Sequence, residues 1–422
     1  MRRLFLVTIL YLTIHPVLTA AAHPPKFYFG VDISESLYSQ NGYLDRGGLE
    51  TGDTTQFSKD LAFNLLGIYP SLLINLADGV DVTILGDVTV EDHFDDVVDD
   101  SLDLDVAAAY ASLSKKWFRL DAGIMPVNFG NGRILTDEAP AVQIRADDAH
   151  GYLDVTMAQV WDHWPTVGVT LGYEPGFLEQ LSLFGLWFHE EDDAFIGSLP
   201  LLYQILVDAE SESDLFWVGT TANLFIGPAF LSMIGAYQFG QVRMSNQLRK
   251  TELDISAYFF DLGISVNWSN TWSIEAFCVV ASGDDQPGSG DLTAFTSVQS
   301  FNPRAAIFFD PDFFDYDNEY QLTIGAGTLS GVIAPGLSVR RVIDEQLSLE
   351  AAAITFYAHK APAEGSDWYG WEADLDASYS FNSTYTLYAR LARFWHTDYF
   401  ESLLNESSDP ATQLVVGIHA AF

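Results

Sequence analysis

Trp371-Glu372-Ala373-Asp374-Leu375-Asp376-Ala377-Ser378-Tyr379-Ser380-Phe381-Asn382-Ser383-Thr384-Tyr385-Thr386-Leu387-Tyr388-Ala389-Arg390-Leu391 alternates on both sides of Asn382-Ser383. In the first arm Trp371, Ala373, Leu375, Ala377, Tyr379 and Phe381 share one face, while Glu372, Asp374, Asp376, Ser378 and Ser380 share the other. Successive side chains of a strand point to opposite sides, so this spacing predicts a long strand that is apolar on one face only. In the second arm Tyr385, Leu387, Ala389 and Leu391 oppose Thr386, Tyr388 and Arg390. The two arms read as a hairpin on a short turn.

The same grammar extends along the chain. A second hairpin turns at Asp344-Glu345, and others are expected at Ser269-Asn270, Pro175-Gly176 and Gly227-Pro228. Longer polar stretches (189–212, 284–318, 360–367 and 397–410) separate the hairpins. Alternating segments of about ten residues, with short turns on one side and long loops on the other, are the signature of a transmembrane antiparallel β-barrel. From Lys26 to Phe422 they predict about 16–18 strands, with 18 preferred, enough to enclose an aqueous lumen. Alternation begins at Phe27, Phe29, Val31 and Ile33, which leaves no room for a plug domain before the barrel, so any constriction has to come from loops folded inward. The last strand sets Leu414, Val416, Ile418, Ala420 and Phe422 on one face. It resembles the terminal strand that bacterial outer-membrane proteins present to their assembly machinery.

Composition agrees with this architecture. The 422 residues are 48% hydrophobic yet carry 58 acids against 19 bases, a formal charge of −39. High hydrophobicity excludes intrinsic disorder, and the acidic balance argues against nucleic acid as a partner, because phosphate-backbone binding needs clustered bases. A barrel reconciles the two properties: lipid-facing positions are apolar while lumen positions are free to carry charge. Arg2-Arg3, the apolar run from Leu4 and Ala20-Ala21-Ala22 read as a signal peptide over 1–22, leaving 23–422 as the barrel in the outer membrane of a Gram-negative bacterium, against lipid and lipopolysaccharide. Trp117, Trp161, Trp164, Trp268, Trp272, Trp368, Trp371, Trp395 and Tyr399 fit interfacial girdles. The apolar run Leu322–Val339 is broken by glycines and Pro335 and does not read as a membrane helix. Cys278, the single cysteine, reads as a packed small hydrophobe.

Catalytic signatures do not appear. The sequence contains no Gly-x-Ser-x-Gly elbow, zinc-binding His-Glu-x-x-His, phosphate loop or compact His/Cys cluster, so neither catalysis nor a cofactor nor a metal site is expected. The acidic runs Glu91–Asp100 and Asp284, Asp285 and Asp291 lack the spacing of a twelve-residue calcium loop and read as solvated charge. Phe195–Val207 reads as an apolar segment within an outer loop.

Three segments carry a family resemblance. Phe118-Arg119-Leu120-Asp121-Ala122-Gly123-Ile124 through Arg133, the glycine-rich acidic stretch Ala281–Asp291 with Phe301-Asn302-Pro303, and Gly370–Leu375 with Phe394–Phe400 resemble motifs of the alginate-export family of outer-membrane barrels. The resemblance implies a channel that passes a polysaccharide. Where that family tends to carry a second arginine, this chain has Ile124. Threading a polyanion requires fixed positive charge, for which Arg119, Arg133, Arg145, Arg243, Arg304, Arg340, Arg390 and Arg393 are candidates, with Arg119, Arg133, Arg145 and Arg390 expected to line the pore. Facing them, Asp121, Asp254, Glu350, Glu372, Asp374 and Asp376 are expected to line the lumen, together with Asp103, Asp105 and Glu252. Arg393 shares the Leu391 face, and Arg340 and Arg341 cannot both point inward. The sequence thus reads as a passive channel for a polar or polysaccharide solute. Two alternatives stand beside it, a general diffusion porin with mild cation preference and a closed structural or adhesive barrel.

Overall fold

A computed structural model describes residues 25–43, 59–93, 101–160, 163–174, 178–191, 210–245, 250–284, 291–298, 304–309, 330–360, 366–397, 399 and 410–422. The segment read as a signal peptide, the turn expected at Pro175-Gly176, Phe195–Val207 and most of the acidic run after Glu91 lie outside these residues. The strands are β1 (Lys26–Tyr43), β2 (Lys59–Ala77), β3 (Val80–His93), β4 (Ser101–Lys115), β5 (Phe118–Phe129), β6 (Leu135–Asp147), β7 (Gly151–Val160), β8 (His163–Tyr173), β9 (Leu178–Glu190) and β10 (Glu210–Ile226). They continue as β11 (Ala229–Ser245), β12 (Lys250–Ser269), β13 (Trp272–Ala281), β14 (Asp291–Leu292), β15 (Val332–Val342), β16 (Leu347–Tyr357), β17 (Trp368–Ser380), β18 (Tyr385–His396) and β19 (Ala411–Ala421).

Apart from β14, each strand pairs antiparallel with its neighbours in chain order, β13 passing to β15. The last strand closes on the first, with Leu37 opposite Val416 and Ser36 opposite Gly417. The wall is therefore a closed 18-stranded antiparallel barrel, as the alternation predicted. Phe422 takes part in the seam: its N–H donates to the Val31 carbonyl at 3.0 Å and its carbonyl accepts from the Val31 N–H at 3.2 Å.

The short turns lie at one end of the barrel, where both described chain ends also lie. Side chains close two of these turns: Asn382 Oδ1 accepts from the N–H groups of Thr384 and Tyr385, and Asp344 Oδ1 from those of Gln346 and Leu347. The expected turns at Ser269-Asn270 and Gly227-Pro228 join β12 to β13 and β10 to β11.

The exterior is apolar. Leu171, Leu183, Leu375 and Leu391 are each about half exposed, with fractions of 54%, 57%, 50% and 47%. A continuous belt of this kind fits hydrocarbon rather than water. Aromatics flank the belt: Trp117, Trp268 and Trp272 are exposed near the short-turn end, and Trp368 and the stacked pair Trp371–Trp395 near the other. Tyr399, expected in a girdle, is instead buried inside against Tyr369, with ring centroids 4.5 Å apart.

The interior is not empty. Phe129, Trp217, Phe259, Phe356 and Phe394 point inward near the long-loop end and are almost fully buried. A hollow tube could not bury them; residues 291–298 and 304–309, between β13 and β15, lie inside the barrel and complete this core with Leu292, Phe295, Val298, Ile307 and Phe308.

Leu375 sits near the middle of β17 on the outer face. Leu375→Arg is expected to destabilise the barrel by roughly 2–4 kcal/mol in denaturant titrations in lipid vesicles, with Ser378→Arg on the inner face costing less than half as much. Equal losses at the two positions would contradict the assignment of faces.

Candidate functional site

Two chain segments meet across the lumen. The tip between β5 and β6 turns through Gly130, Asn131 and Gly132, all left-handed with φ of 60°, 50° and 79°, which glycine and asparagine tolerate best. This tip throws Arg133 inward, where its Nε donates to Asp261 Oδ2 of β12 at 3.1 Å. Asp261 also accepts from Arg304 of the inward segment at 3.2 Å, and Arg304 pairs in turn with Glu275 of β13. The Ile134 carbonyl accepts from the Val298 N–H at 2.8 Å, so the β5–β6 tip and the inward segment are also joined through backbone.

Burial lowers the Arg133 pKa from its ordinary value, and Asp261 only partly offsets this. Arg304 is buried too, but Asp261 and Glu275 together raise its pKa above the ordinary value. Removing one member of a buried network of this kind leaves an uncompensated charge and is strongly destabilising locally.

A second attachment holds the far end of the segment. The Glu372 carboxylate on β17 accepts from three successive backbone N–H groups, those of Ala306, Ile307 and Phe308, at 2.7–2.9 Å. Phe308 then stacks on Phe356 at 3.9 Å between ring centroids and meets Phe394 and Tyr369. A third attachment lies opposite β10 and β11. The Trp217 indole donates to the Thr296 carbonyl at 3.0 Å, and the Gln238 amide exchanges two hydrogen bonds with Thr296. Sequence reading predicted an inward loop as the means of constriction but not these anchors. Asp261 sits in the apolar run Phe259-Phe260-Asp261-Leu262, where an isolated acid is the one signal that could have marked it.

Below this bridge the wall is polar. Arg119 pairs with Asp121 at 2.7 Å, Arg145 with Asp147 at 2.6 Å and Arg390 with Asp376 at 2.7 Å. In register, Arg340, Glu350, Asp376 and Arg390 form a row across β15 to β18. A recess of about 130 Å³ opens between the Gly130–Asn131 tip and the inner faces of β6 to β10.

Most sequence-predicted residues point inward, but not all border open space. Arg119, Arg145, Glu350, Asp376 and Arg390 are partly exposed on the inner face. Asp121, Arg133, Glu372 and Asp374 are buried, with Arg133 and Glu372 occupied in holding loops. Asp254 is a correction. It shares the outer face of β12 with Ser256 and Tyr258 and accepts from Gln241, because Leu253, Ile255 and Ala257 turn inward to the filled core. Glu252 lies on the same outer face and pairs with Arg243, which also contacts Glu212 and Asp214. The side chains of Asp103 and Asp105 lie outside the described residues. Ile124 faces out, Arg393 lies outside against Trp395, and Arg341 lies over Trp272 while Arg340 points inward.

Neither a protein-family model nor a curated protein sequence matches the chain. Solved outer-membrane proteins of Pseudomonas aeruginosa share its fold. OpdK superposes with a TM-score of 0.54 at 11% identity over 94% of this chain and 99% of that one. OprD gives 0.53 at 12% identity over 93% and 94%, and OccK2 (OpdF) in complex with glucuronate gives 0.53 at 11% over 93% and 98%. The likeness is one of barrel architecture, spanning nearly the whole length of each partner.

Glu372→Ala is expected to leave three buried N–H groups without an acceptor, at about 1–3 kcal/mol each. Amide exchange at 304–309 should accelerate by orders of magnitude while the strands of the wall keep their protection. Unchanged protection at 306–308 would contradict the anchoring role of this carboxylate.

Proposed function

We propose that the chain is a passive channel for a polar solute in the outer membrane of a Gram-negative bacterium, narrowed by the inward stretches 291–298 and 304–309. The observation that carries this reading is the Arg133–Asp261–Arg304–Glu275 bridge, which holds two inward loops across an otherwise polar, wide barrel. Eighteen strands enclose more space than side chains of the wall can fill, so loops decide what passes. In this reading the short turns face the periplasm, the long loops face outward, the apolar belt contacts lipid and lipopolysaccharide, and the final strand with Phe422 engages the assembly machinery. The outer-membrane proteins OpdK and OprD, which share the barrel fold, support it.

Selectivity follows from charge. Arg119, Arg145 and Arg390 each have a carboxylate partner, Arg340 stands opposite Glu350, and Asp81, opposite Ser112 on the inner face, adds negative charge beyond those pairs. Carboxylates in a lumen favour cations, which supports a mild cation preference and counts against threading of a polyuronate such as alginate. The resemblance to alginate exporters thus remains a sequence likeness carried by short motifs, and Ile124, which stands where one of them has an arginine, faces the exterior.

The test is electrical. Refolded protein in a planar bilayer under a salt gradient is expected to give open channels whose reversal potential shows modest cation preference. Arg304→Ala, which unties the bridge, should raise single-channel conductance at least twofold. Strong anion preference would overturn the charge argument, and absence of conductance from correctly folded barrels would favour a closed structural barrel instead.

A further inference from the structure

We infer that the recess beneath the β5–β6 tip is a binding subsite for a neutral polyhydroxylated solute, a sugar or short oligosaccharide, which names the solute class for the channel reading above and rests on it. Side chains from β5 to β10 build the recess beside the tip, those of β6 to β10 on the inner face of the wall.

Its chemistry is that of hydroxyl recognition. Gln143 donates to Asp154 Oδ2 at 2.6 Å, Thr156 to Asp154 Oδ1 at 3.2 Å, and Gln180 to the Tyr152 hydroxyl at 3.1 Å. These bonds orient groups that still have capacity to bond further, since a carboxylate offers about four acceptor sites and an amide both donates and accepts. Thr170 and Asn131 line the same space and make no side-chain hydrogen bond among the described residues. Alternating donors and acceptors on a fixed wall suit vicinal hydroxyls, each of which donates and accepts.

Shape contributes as well. Phe129 and Phe184 form the apolar side of the recess, and both rings lie against glycine backbone. A Cβ on Gly168 would meet the Phe129 ring at 1.9 Å, and one on Gly219 would meet the Phe184 ring at 2.4 Å. The glycines thus let two aromatic rings sit flush with the wall, next to the polar groups. A sugar presents the same combination of C–H faces and hydroxyl edges.

Charge decides against ionic ligands. Arg145, the one guanidinium lining the recess, is held by Asp147 at 2.6 Å and covered on one face by Tyr152 at 3.9 Å. A carboxylate solute has to compete with Asp147 and then lie near Asp154. An ammonium solute reaches the remaining acceptor sites of Asp154 only beside the Arg145 guanidinium, which stands opposite Asp154 in register and repels the cation. The balanced site penalises either net charge and leaves a neutral solute unpenalised.

The experiment adds glucose, maltotriose, glucuronate and glucosamine in turn to channels in a planar bilayer, paired with calorimetric titration of the detergent-folded protein. Maltotriose is expected to block the current reversibly and more tightly than glucuronate or glucosamine, and Thr170→Val and Gln180→Ala are each expected to weaken the block roughly tenfold, the loss of one good hydrogen bond. Because both substitutions leave backbone pairing intact, folding is checked by heat-modifiable gel mobility. Conducting channels indifferent to neutral sugars, or bound more tightly by glucuronate, would overturn this inference while sparing the channel reading. Absence of current with calorimetric maltotriose binding that the variants weaken would sink the channel reading and support the subsite, and absence of both would overturn the two together.

Discussion

A strand in apolar surroundings has no water to satisfy its backbone, so every N–H and C=O must find a partner in another strand. Everything else in this molecule depends on that constraint. It forces the eighteen long strands to close, β19 onto β1, and it makes the seam at Val31 and Phe422 as regular as any other part of the wall. Closure fixes the bore, and a bore this wide is more than the inward side chains can fill. The interior problem then passes to the loops. Residues 291–298 and 304–309 solve it with a core of their own, in which Phe308, Phe356 and Phe394 pack as they would inside a soluble domain.

Polar contacts give the filled end its register. Apolar packing is non-directional and alone would let the segment slide. Glu372, Asp261 and Gln238 each impose a direction, the first on three successive N–H groups, the second on two guanidiniums from different segments and the third on Thr296. Buried charges of this kind contribute little net stability but specify one arrangement, because any slip leaves a charge without its partner. A channel requires such specificity, since an error of a few ångströms in a constricting loop changes what passes.

The wall was legible in the sequence because alternation is a local property with a single cause, lipid on one side and water on the other. The hairpins at Asn382 and Asp344 and the inward faces of Asp376 and Arg390 followed directly. Asp254 was misplaced for the same reason. Alternation was read as apolar outward, but on β12 the upper interior is filled by protein, so Leu253, Ile255 and Ala257 turn inward and the acids outward. The period was right and the phase reversed. The anchors Asp261 and Glu275 were harder to find, and Arg304 was a candidate for pore charge rather than for an anchor, because their partners lie on remote parts of the chain and no spacing marks a contact between residues 133 and 261. Glu372 was placed on the correct face but given the wrong task, since a carboxylate lining water and one gripping backbone N–H groups look alike in sequence.

The central claim is that inward loops, not the wall, set the passage. Polymer exclusion tests it most directly: polyethylene glycols of graded size are added to single channels and the change in conductance is followed as a function of polymer radius. The account predicts a sharp cut-off near the size of a di- or trisaccharide. Free partitioning of polymers as large as the bare eighteen-stranded bore would contradict it.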